Sequence, residues 1–224
     1  MRNMVFFWVA LYGAVNLIPE WIIGLDSDSV CLRVGLLAGY VLALLIWICK
    51  SGRQQESGLK LPQGLAEAPA FLLPLAAFPV CNLLTSGAPA LNAALVLQML
   101  CVAIVEELFF RGFLLDALRK HGTVAAVLLT SGAFALAHGL NFGGGPEMGY
   151  VWLQICCSFC ASLYYCCFVV RFGSVLPCAA AHFLTNISAS GTLDGRWSHI
   201  CLTGGMIVCV YFSWILIMDK KRRQ

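Results

Sequence analysis

Two adjacent carboxylates and an arginine lie within one apolar stretch of this chain, in the hexapeptide EELFFR at positions 106–111. An ionisable side chain at the centre of a membrane helix costs roughly 2.5 to 3.5 kcal/mol on insertion scales, so it persists only where it faces the bundle interior and finds a partner. Glu107 and Arg111 are four residues apart, which predicts an ion pair along one helix face. Glu106 points about 100° away, so its carboxylate is predicted to stay outside that pair, as a catalytic base requires.

Two further apolar stretches carry groups that suit the same chemistry. His138 ends the segment FALAH, and His182 and Asn186 begin and end the segment HFLTN. The latter two residues are four apart and share one helix face, where two hydrogen-bond donors could stabilise an oxyanion. Each group alone is also typical of a hydrogen-bonded core histidine or of polar contacts between membrane helices. Together with Glu106 they match the parts needed for water activation and for stabilising a tetrahedral intermediate.

The composition indicates the environment in which these groups must work. Of the 224 residues, 60% are hydrophobic and 11% are charged, whereas a soluble domain has about 25% charged residues. A membrane-spanning helix needs roughly 20 mostly apolar residues. We therefore predict an all-α, multi-spanning membrane helical bundle, with residues 1–224 forming one domain and the lipid bilayer as its surroundings. No polar segment mixes basic and aromatic residues, so nucleic-acid binding is not predicted.

The apolar runs are separated by charges and by Gly and Pro residues, and they predict about eight transmembrane helices. The first is predicted to be retained rather than cleaved as a signal peptide, because no small-residue cleavage site ends it. The third holds three prolines, which predicts a kinked or irregular helix. The predicted spans are 4–24, 31–49, 68–84, 90–118, 122–141, 148–170, 174–193 and 199–218.

The basic residues predict the orientation of the chain. If the N-terminus is cytoplasmic, eleven of the 14 Lys and Arg residues lie in inside loops and two in outside loops, and Arg111 lies within a helix. Such a bias is the positive-inside pattern, and it predicts that both termini are cytoplasmic. The one long connector, 50–67, is polar in composition and falls on the cytoplasmic side. The short loops favour a prokaryotic plasma (inner) membrane.

One feature of the predicted helices is at odds with a simple bundle. Counted from the predicted cytoplasmic helix ends, His138 lies about 16 residues in and His182 about 8, or roughly 24 and 12 Å at 1.5 Å per residue. Ideal parallel helices would not bring the two imidazoles level. A tilt, or a break between Gly173 and Pro177, is expected to absorb the difference.

The three motifs, read as EExxxR, FxxxH and HxxxN, resemble the signature of the CAAX prenyl protease and bacteriocin-processing family of glutamic intramembrane proteases, once grouped as Abi proteins. They occur here in the same order, over about 90–193. The resemblance implies hydrolysis of a peptide bond inside the membrane, in a membrane-anchored protein or peptide, without a cofactor. Prenylated C-terminal peptides, bacteriocin leaders and C-terminal sorting tails are all substrates that it allows, and a prokaryotic membrane makes the first of these less favoured.

The resemblance also implies a role for each residue of the motifs. Glu106 would activate the water and His138 would help to hold and polarise it. His182 and Asn186 would bind the water or the oxyanion. Supporting residues that shape the site and balance its charge are Glu107, Arg111 and Phe134.

Three alternatives stay open at the level of sequence. Glu106, His138 and His182 form a His₂Glu set of the kind that holds catalytic zinc, although no HExxH motif is present. A transporter or proton relay also uses buried Glu, Arg and His. A non-catalytic immunity protein or scaffold would keep the fold without hydrolysis, but it has no chemical need for all four candidate catalytic residues.

Overall fold

The structure is a computed structural model that describes residues 7–12, 30–66, 69–85, 91–139, 148–189 and 196–222. All regular structure in these ranges is helical, which confirms the all-α class. Three helices are long and apolar enough to cross a membrane, over Ala93–His121, Val151–Phe172 and His199–Met218, and shorter apolar helices accompany them. The chain is therefore an integral membrane protein, while the number of eight spans stays a prediction.

The helices of the described part are numbered in chain order. The predicted first span is described only over 7–12, and the rest of it lies outside the described residues. The helices are α1 (7–12), α2 (Val30–Lys50), α3 (Gln54–Ser57), α4 (Leu73–Thr85), α5 (Ala93–Glu107), α6 (Leu115–Leu118), α7 (Thr123–Gly139), α8 (Met148–Phe172), α9 (Leu176–Ser188) and α10 (Arg196–Arg222). A π-helical turn, Leu108–Leu114, joins α5 to α6 without a break.

The long helices enclose the centre of the bundle as a ring of neighbours. α7 packs on α8, α8 on α10, α10 on α4, α4 on α9 and α9 on α5, and the π turn that continues α5 returns to α7. α2 lies outside this ring against α5. The second half of α8 supplies much of the core, with Tyr164, Phe168 and Phe172 fully buried. The motif-bearing helices α5, α7 and α9 are thus all members of this ring.

The outer surface of the bundle is apolar. Leu42, Leu83, Leu136, Ile207 and Trp214 are each more than 60% exposed. Soluble monomers rarely expose apolar patches larger than a few hundred Å². Hydrocarbon can cover side chains of this kind at no penalty, so their outward placement agrees with a lipid-facing surface.

The predicted irregularity of the proline-rich span is confirmed. The segment starts as a 3₁₀ turn, Pro69–Leu72, before α4 begins, and Pro79 lies inside α4. A proline inside a helix removes one backbone hydrogen bond and favours a kink. The consequence is a short helix whose apolar side chains Leu75 and Phe78 still reach the core.

The polar connector 51–66 packs on the bundle rather than extending from it. Its helix α3 ends at Gly58, whose φ of 67° is in the left-handed region that favours glycine. Ser57 is buried, and its carbonyl lies so close to Gly112 that a Cβ there would stand 2.6 Å from the oxygen. The N–H of Val175 donates to the Gly58 carbonyl over 3.0 Å. The connector therefore covers the π turn and the link between α8 and α9.

Candidate active site

The centre of the site is Glu107, whose side chain is completely buried at the end of α5. Its Oε1 accepts a hydrogen bond of 2.8 Å from Nη1 of Arg111, as the four-residue spacing predicts. The same oxygen lies 2.9 Å from Nδ1 of His182, a contact that the sequence did not reveal. Because a carboxylate accepts, the imidazole carries its proton on Nδ1. Nε2 is then the ring nitrogen that Glu107 leaves available to another group.

Glu106 meets the opposite edge of the same imidazole. Its Oε2 lies 3.8 Å from Nε2 of His182, which is ion-pair range but too long for a direct hydrogen bond. This oxygen is buried and has no hydrogen-bond partner among the described atoms. His182 is thus held between two carboxylates, one engaged with Arg111 and one not.

The helix that carries both glutamates changes its winding immediately after them. Arg111 and Gly112 lie in the π turn, and the π helix is rare and frequently found at functional sites. Gly112 is the point at which the connector touches this turn, through the carbonyl of Ser57. The local structure around the two carboxylates is therefore fixed from the connector side by backbone packing.

The ring of Phe134 contacts one residue of each of the three motifs. The Cζ atom of Arg111 lies 3.9 Å from the centroid of its ring, within the range of a cation–π contact. The rings of His138 and His182 lie 4.5 and 5.8 Å from it. Tyr165 lies on the same guanidinium at 5.3 Å. The arginine is enclosed by aromatic rings as well as paired, and Tyr165 had no motif in the sequence to identify it.

His138 is half-buried near the end of α7. Its Nδ1 lies 3.0 Å from the carbonyl oxygen of Phe134, one turn earlier. A carbonyl can only accept, so Nδ1 carries the proton and Nε2 of the neutral ring is an acceptor. An acceptor of this kind can hold one hydrogen of a water molecule.

A cavity of about 310 Å³ lies inside the ring of helices. His138, His182 and Asn186 line it, so three of the four predicted catalytic residues share one space. Glu106 is not among the described residues that line the cavity. Its Oε2 lies 3.8 Å from Nε2 of His182, which does line the cavity. The other polar side chains of the lining are Asn82, Gln154, Ser158, Tyr165 and Thr185.

The two histidines lie close to a common level, although the sequence predicted different depths for them. The Phe134 ring lies 4.5 Å from that of His138 and 5.8 Å from that of His182, measured between ring centroids. Ser174 and Val175, just before α9, are buried and the connector is bonded to Val175, whereas Leu176, the first residue of α9, is exposed.

Asn82 is a site-supporting residue that the sequence analysis missed. Its side-chain Nδ2 donates to the Thr185 carbonyl and to Oγ of Ser188, over 3.3 Å in each case. These bonds tie α4 to the helix that carries His182 and Asn186. The sequence does show that Asn82 is a polar residue within the apolar run 68–84, and this could have indicated a contact with another helix.

The three groups proposed as zinc ligands at the sequence level do not form a metal site in the described part of the chain. Among the residues described, no three His, Cys, Asp or Glu side chains converge as ligands for an ion. Glu107 and the carbonyl of Phe134 engage Nδ1 of the two imidazoles, and Nε2 of each ring makes no hydrogen bond to the described part of the chain. The expected absence of a cofactor stays a prediction.

The chain was compared with known protein families. Residues 88–188 match the family model described as Rce1-like, "Type II CAAX prenyl endopeptidase Rce1-like". This segment contains all three motifs and ends two residues after Asn186. The match confirms the resemblance inferred from the motifs. No curated protein and no solved structure matches the chain.

Proposed function

Since residues 88–188 carry a domain of the Rce1-like type II CAAX prenyl endopeptidase family, we propose that the chain is an intramembrane endopeptidase of glutamic type. The observation that supports this most strongly is the placement of His182 between the carboxylates of Glu106 and Glu107. A structural ion pair needs only Glu107 and Arg111. A second, half-buried carboxylate without a cationic partner in the described structure is expensive in a membrane and suits a catalytic base.

The proposed reaction is hydrolysis with Glu106 as the base. Glu106 takes a proton from a water molecule as its oxygen adds to the scissile carbonyl carbon. The tetrahedral intermediate then collapses, the C–N bond breaks, and the proton held by Glu106 passes to the leaving amine nitrogen. Products are a carboxylate and an amine, and water is the only co-reactant.

The remaining groups have distinct proposed roles. Nε2 of His138 accepts a hydrogen from the attacking water and orients it. The amide of Asn186 lies one turn along α9 from His182 and donates to the oxyanion, a type of contact worth roughly 10²- to 10³-fold in rate. Glu107 and Arg111 hold the His182 ring and balance the buried charge.

We propose a membrane-anchored protein or peptide as the substrate, no metal as a cofactor, and cytoplasmic termini in a prokaryotic plasma membrane. The apolar exterior and the family support the membrane setting. The basic residues support the orientation.

The test is cleavage by the purified full-length protein in detergent. The panel contains an internally quenched peptide ending in an S-farnesylated CaaX sequence, its unprenylated form, and an acyl-anchored leader peptide. Wild type is compared with Glu106→Gln, and Glu56→Gln is the matched control because the Glu56 side chain is exposed and pairs only with Arg53 of the connector among the described residues. Cleavage by wild type and Glu56→Gln, absent in Glu106→Gln and insensitive to chelator, supports the proposal. Chelator-sensitive cleavage that zinc restores would replace it with a metalloprotease.

A further inference from the structure

One face of α8 borders the cavity of the candidate active site. Its lining residues recur with the spacing of a single helix face, and they are Gln154, Cys157, Ser158, Ala161 and Tyr165. Tyr165 is the last of these five along the chain and the aromatic one. Through it, α8 brings a phenol hydroxyl to the space that the candidate catalytic residues share.

Tyr165 lies against the charged centre of the site. The Cζ atom of Arg111 is 5.3 Å from the centroid of the Tyr165 ring. The same guanidinium is bonded to Glu107, and Glu107 contacts Nδ1 of His182. Tyr165 and His182 also line the same cavity. The phenol therefore belongs to the cluster of side chains that holds this histidine.

A contact between α8 and α9 fixes where Tyr165 lies relative to the third motif. The thiol of Cys178 is 3.9 Å from the backbone carbonyl oxygen of Tyr165. Cys178, His182 and Asn186 follow one another at four-residue spacing, so they share one face of α9. This face touches α8 at Tyr165 and continues, one and two turns further on, into the two motif residues that line the cavity.

The hydroxyl of Tyr165 differs from that of its neighbour in having no hydrogen-bond partner. Tyr165 is only 4% exposed, and its hydroxyl makes no hydrogen bond to the described part of the chain. The hydroxyl of the fully buried Tyr164 donates to the carbonyl of Phe71. A buried tyrosine hydroxyl usually finds a partner, because burying a polar group without one is costly. Since Tyr165 lines the cavity, a molecule bound there can supply that partner.

The proposed reaction needs hydrogen-bond donors for the oxyanion of its tetrahedral intermediate. The proton of the His138 ring is on Nδ1, which faces the Phe134 carbonyl. The proton of the His182 ring is likewise on Nδ1, which faces Glu107. Nε2 of each neutral ring is an acceptor, and it can donate only after the ring takes up a second proton. Asn186 is then the one neutral donor among the four predicted catalytic residues.

We propose that Tyr165 is a further catalytic residue, and that its hydroxyl donates a hydrogen bond to the scissile carbonyl oxygen as this oxygen becomes an oxyanion. This inference rests on the proposed function. The phenol proton stays on Tyr165 throughout, so no covalent bond of the tyrosine forms or breaks. The oxyanion thus receives one donor from α9, Asn186, and one from α8.

The first test is the Tyr165→Phe variant, which removes the hydroxyl and keeps the ring beside Arg111. Purified full-length protein in detergent is assayed with the panel peptide that wild type cleaves. We expect kcat to fall roughly 10²-fold, the lower range for loss of one oxyanion donor, with KM within about threefold of wild type. The melting temperature should stay that of wild type, because the lost hydroxyl has no bond in the described structure.

Tyr164→Phe is the matched control, since it makes the same change at the adjacent position, outside the described lining of the cavity. It removes the bond to the Phe71 carbonyl, so the melting temperature should fall while kcat stays within about threefold of wild type. A Tyr165→Phe variant with the kcat of wild type would overturn the proposal. A rise in KM alone would also overturn it, because the hydroxyl would then bind substrate and transition state equally.

A second measurement detects the oxyanion contact without turnover. The probe is the same peptide with a phosphinate in place of the scissile amide, which puts negative oxygens on a tetrahedral centre. Its Kd, measured by fluorescence anisotropy, should rise about tenfold or more in Tyr165→Phe and stay within about threefold in Tyr164→Phe. Equal affinities of wild type and Tyr165→Phe would overturn the proposal.

The two levels of the account can be told apart by these assays. If wild type cleaves no peptide of the panel, the proposed function fails and the role of Tyr165 fails with it. If wild type cleaves and Tyr165→Phe is unaffected, the role of Tyr165 alone is overturned, and the proposed function stands.

Discussion

Glu107 and His182 are joined by a 2.9 Å contact between α5 and α9, and this contact determines which edge of the imidazole faces Glu106. Because Nδ1 is committed to Glu107, Nε2 lies towards Glu106 at 3.8 Å. The two adjacent glutamates thus act on one histidine from opposite sides. The tandem carboxylates of the first motif have different environments for that reason, one paired with Arg111 and one without a cationic partner in the described structure.

His182→Ala is expected to lower kcat/KM at least about 100-fold, the lower range for loss of a group that binds the oxyanion. The variant removes the group that separates the two carboxylates. His121→Ala is the control, since His121 is exposed in the turn after α6. Activity of His182→Ala within threefold of the control variant would contradict the proposed site.

Arg111→Ala should destabilise the protein by about 3 to 5 kcal/mol, the range for removing one partner of a buried ion pair. The change leaves Glu107 buried without its cation. The Arg111→Met, Glu107→Gln double variant should lose less stability than Arg111→Ala alone, because it leaves no unpaired charge. Unfolding of the detergent-solubilised proteins by denaturant measures this, and a double variant no more stable than Arg111→Ala would show that an unpaired Glu107 charge is not the cause of the loss.

Gly112→Ala should destabilise the protein by about 1 to 3 kcal/mol, as overpacking of a tight contact does. Its Cβ would stand 2.6 Å from the Ser57 carbonyl oxygen, so the connector must shift. Gly132→Ala in α7 is the matched control, because a Cβ there meets nothing within 4 Å. Equal melting temperatures for the two variants would show that the connector does not press on the π turn.

Gln154→Leu should raise KM about tenfold with little change in kcat, since one lost hydrogen bond of about 1.4 kcal/mol corresponds to that factor. Gln154 lines the cavity that His138, His182 and Asn186 also line, and its carboxamide can donate to and accept from the backbone of a bound peptide. Gln98→Leu makes the same change in α5, outside the described lining of the cavity. If both variants keep the wild-type KM, Gln154 does not bind substrate.

The motif residues could be located from sequence because their chemistry is unusual in a membrane. Glu106, Glu107 and Arg111 are costly in hydrocarbon, and helical spacing alone predicted which two would pair. Hydropathy likewise located most helices, since apolar runs bounded by charges have few other interpretations. The roles of Glu106, His138, His182 and Asn186 in catalysis remain predictions.

Tertiary contacts across the bundle could not be predicted in the same way. The bond between His182 and Glu107 spans 75 positions and joins α5 to α9, two helices that no local pattern pairs. Nothing local in the polar segment 50–67 indicates that Ser57 would be buried against Gly112. Asn82 and Tyr165 were missed because each is an ordinary side chain whose importance comes from its neighbours.

The central claim, that Glu106 is the base, is tested most directly by single-turnover cleavage with wild type and Glu106→Gln in detergent. The substrate is the panel peptide that wild type cleaves, chelator is present throughout, and substrate binding is measured separately by fluorescence anisotropy. We predict that Glu106→Gln keeps the wild-type melting temperature and binds the peptide with a Kd within threefold. Its cleavage rate should fall by 10² to 10⁴, the usual contribution of a general base. Cleavage by Glu106→Gln at a rate close to that of wild type would contradict the account.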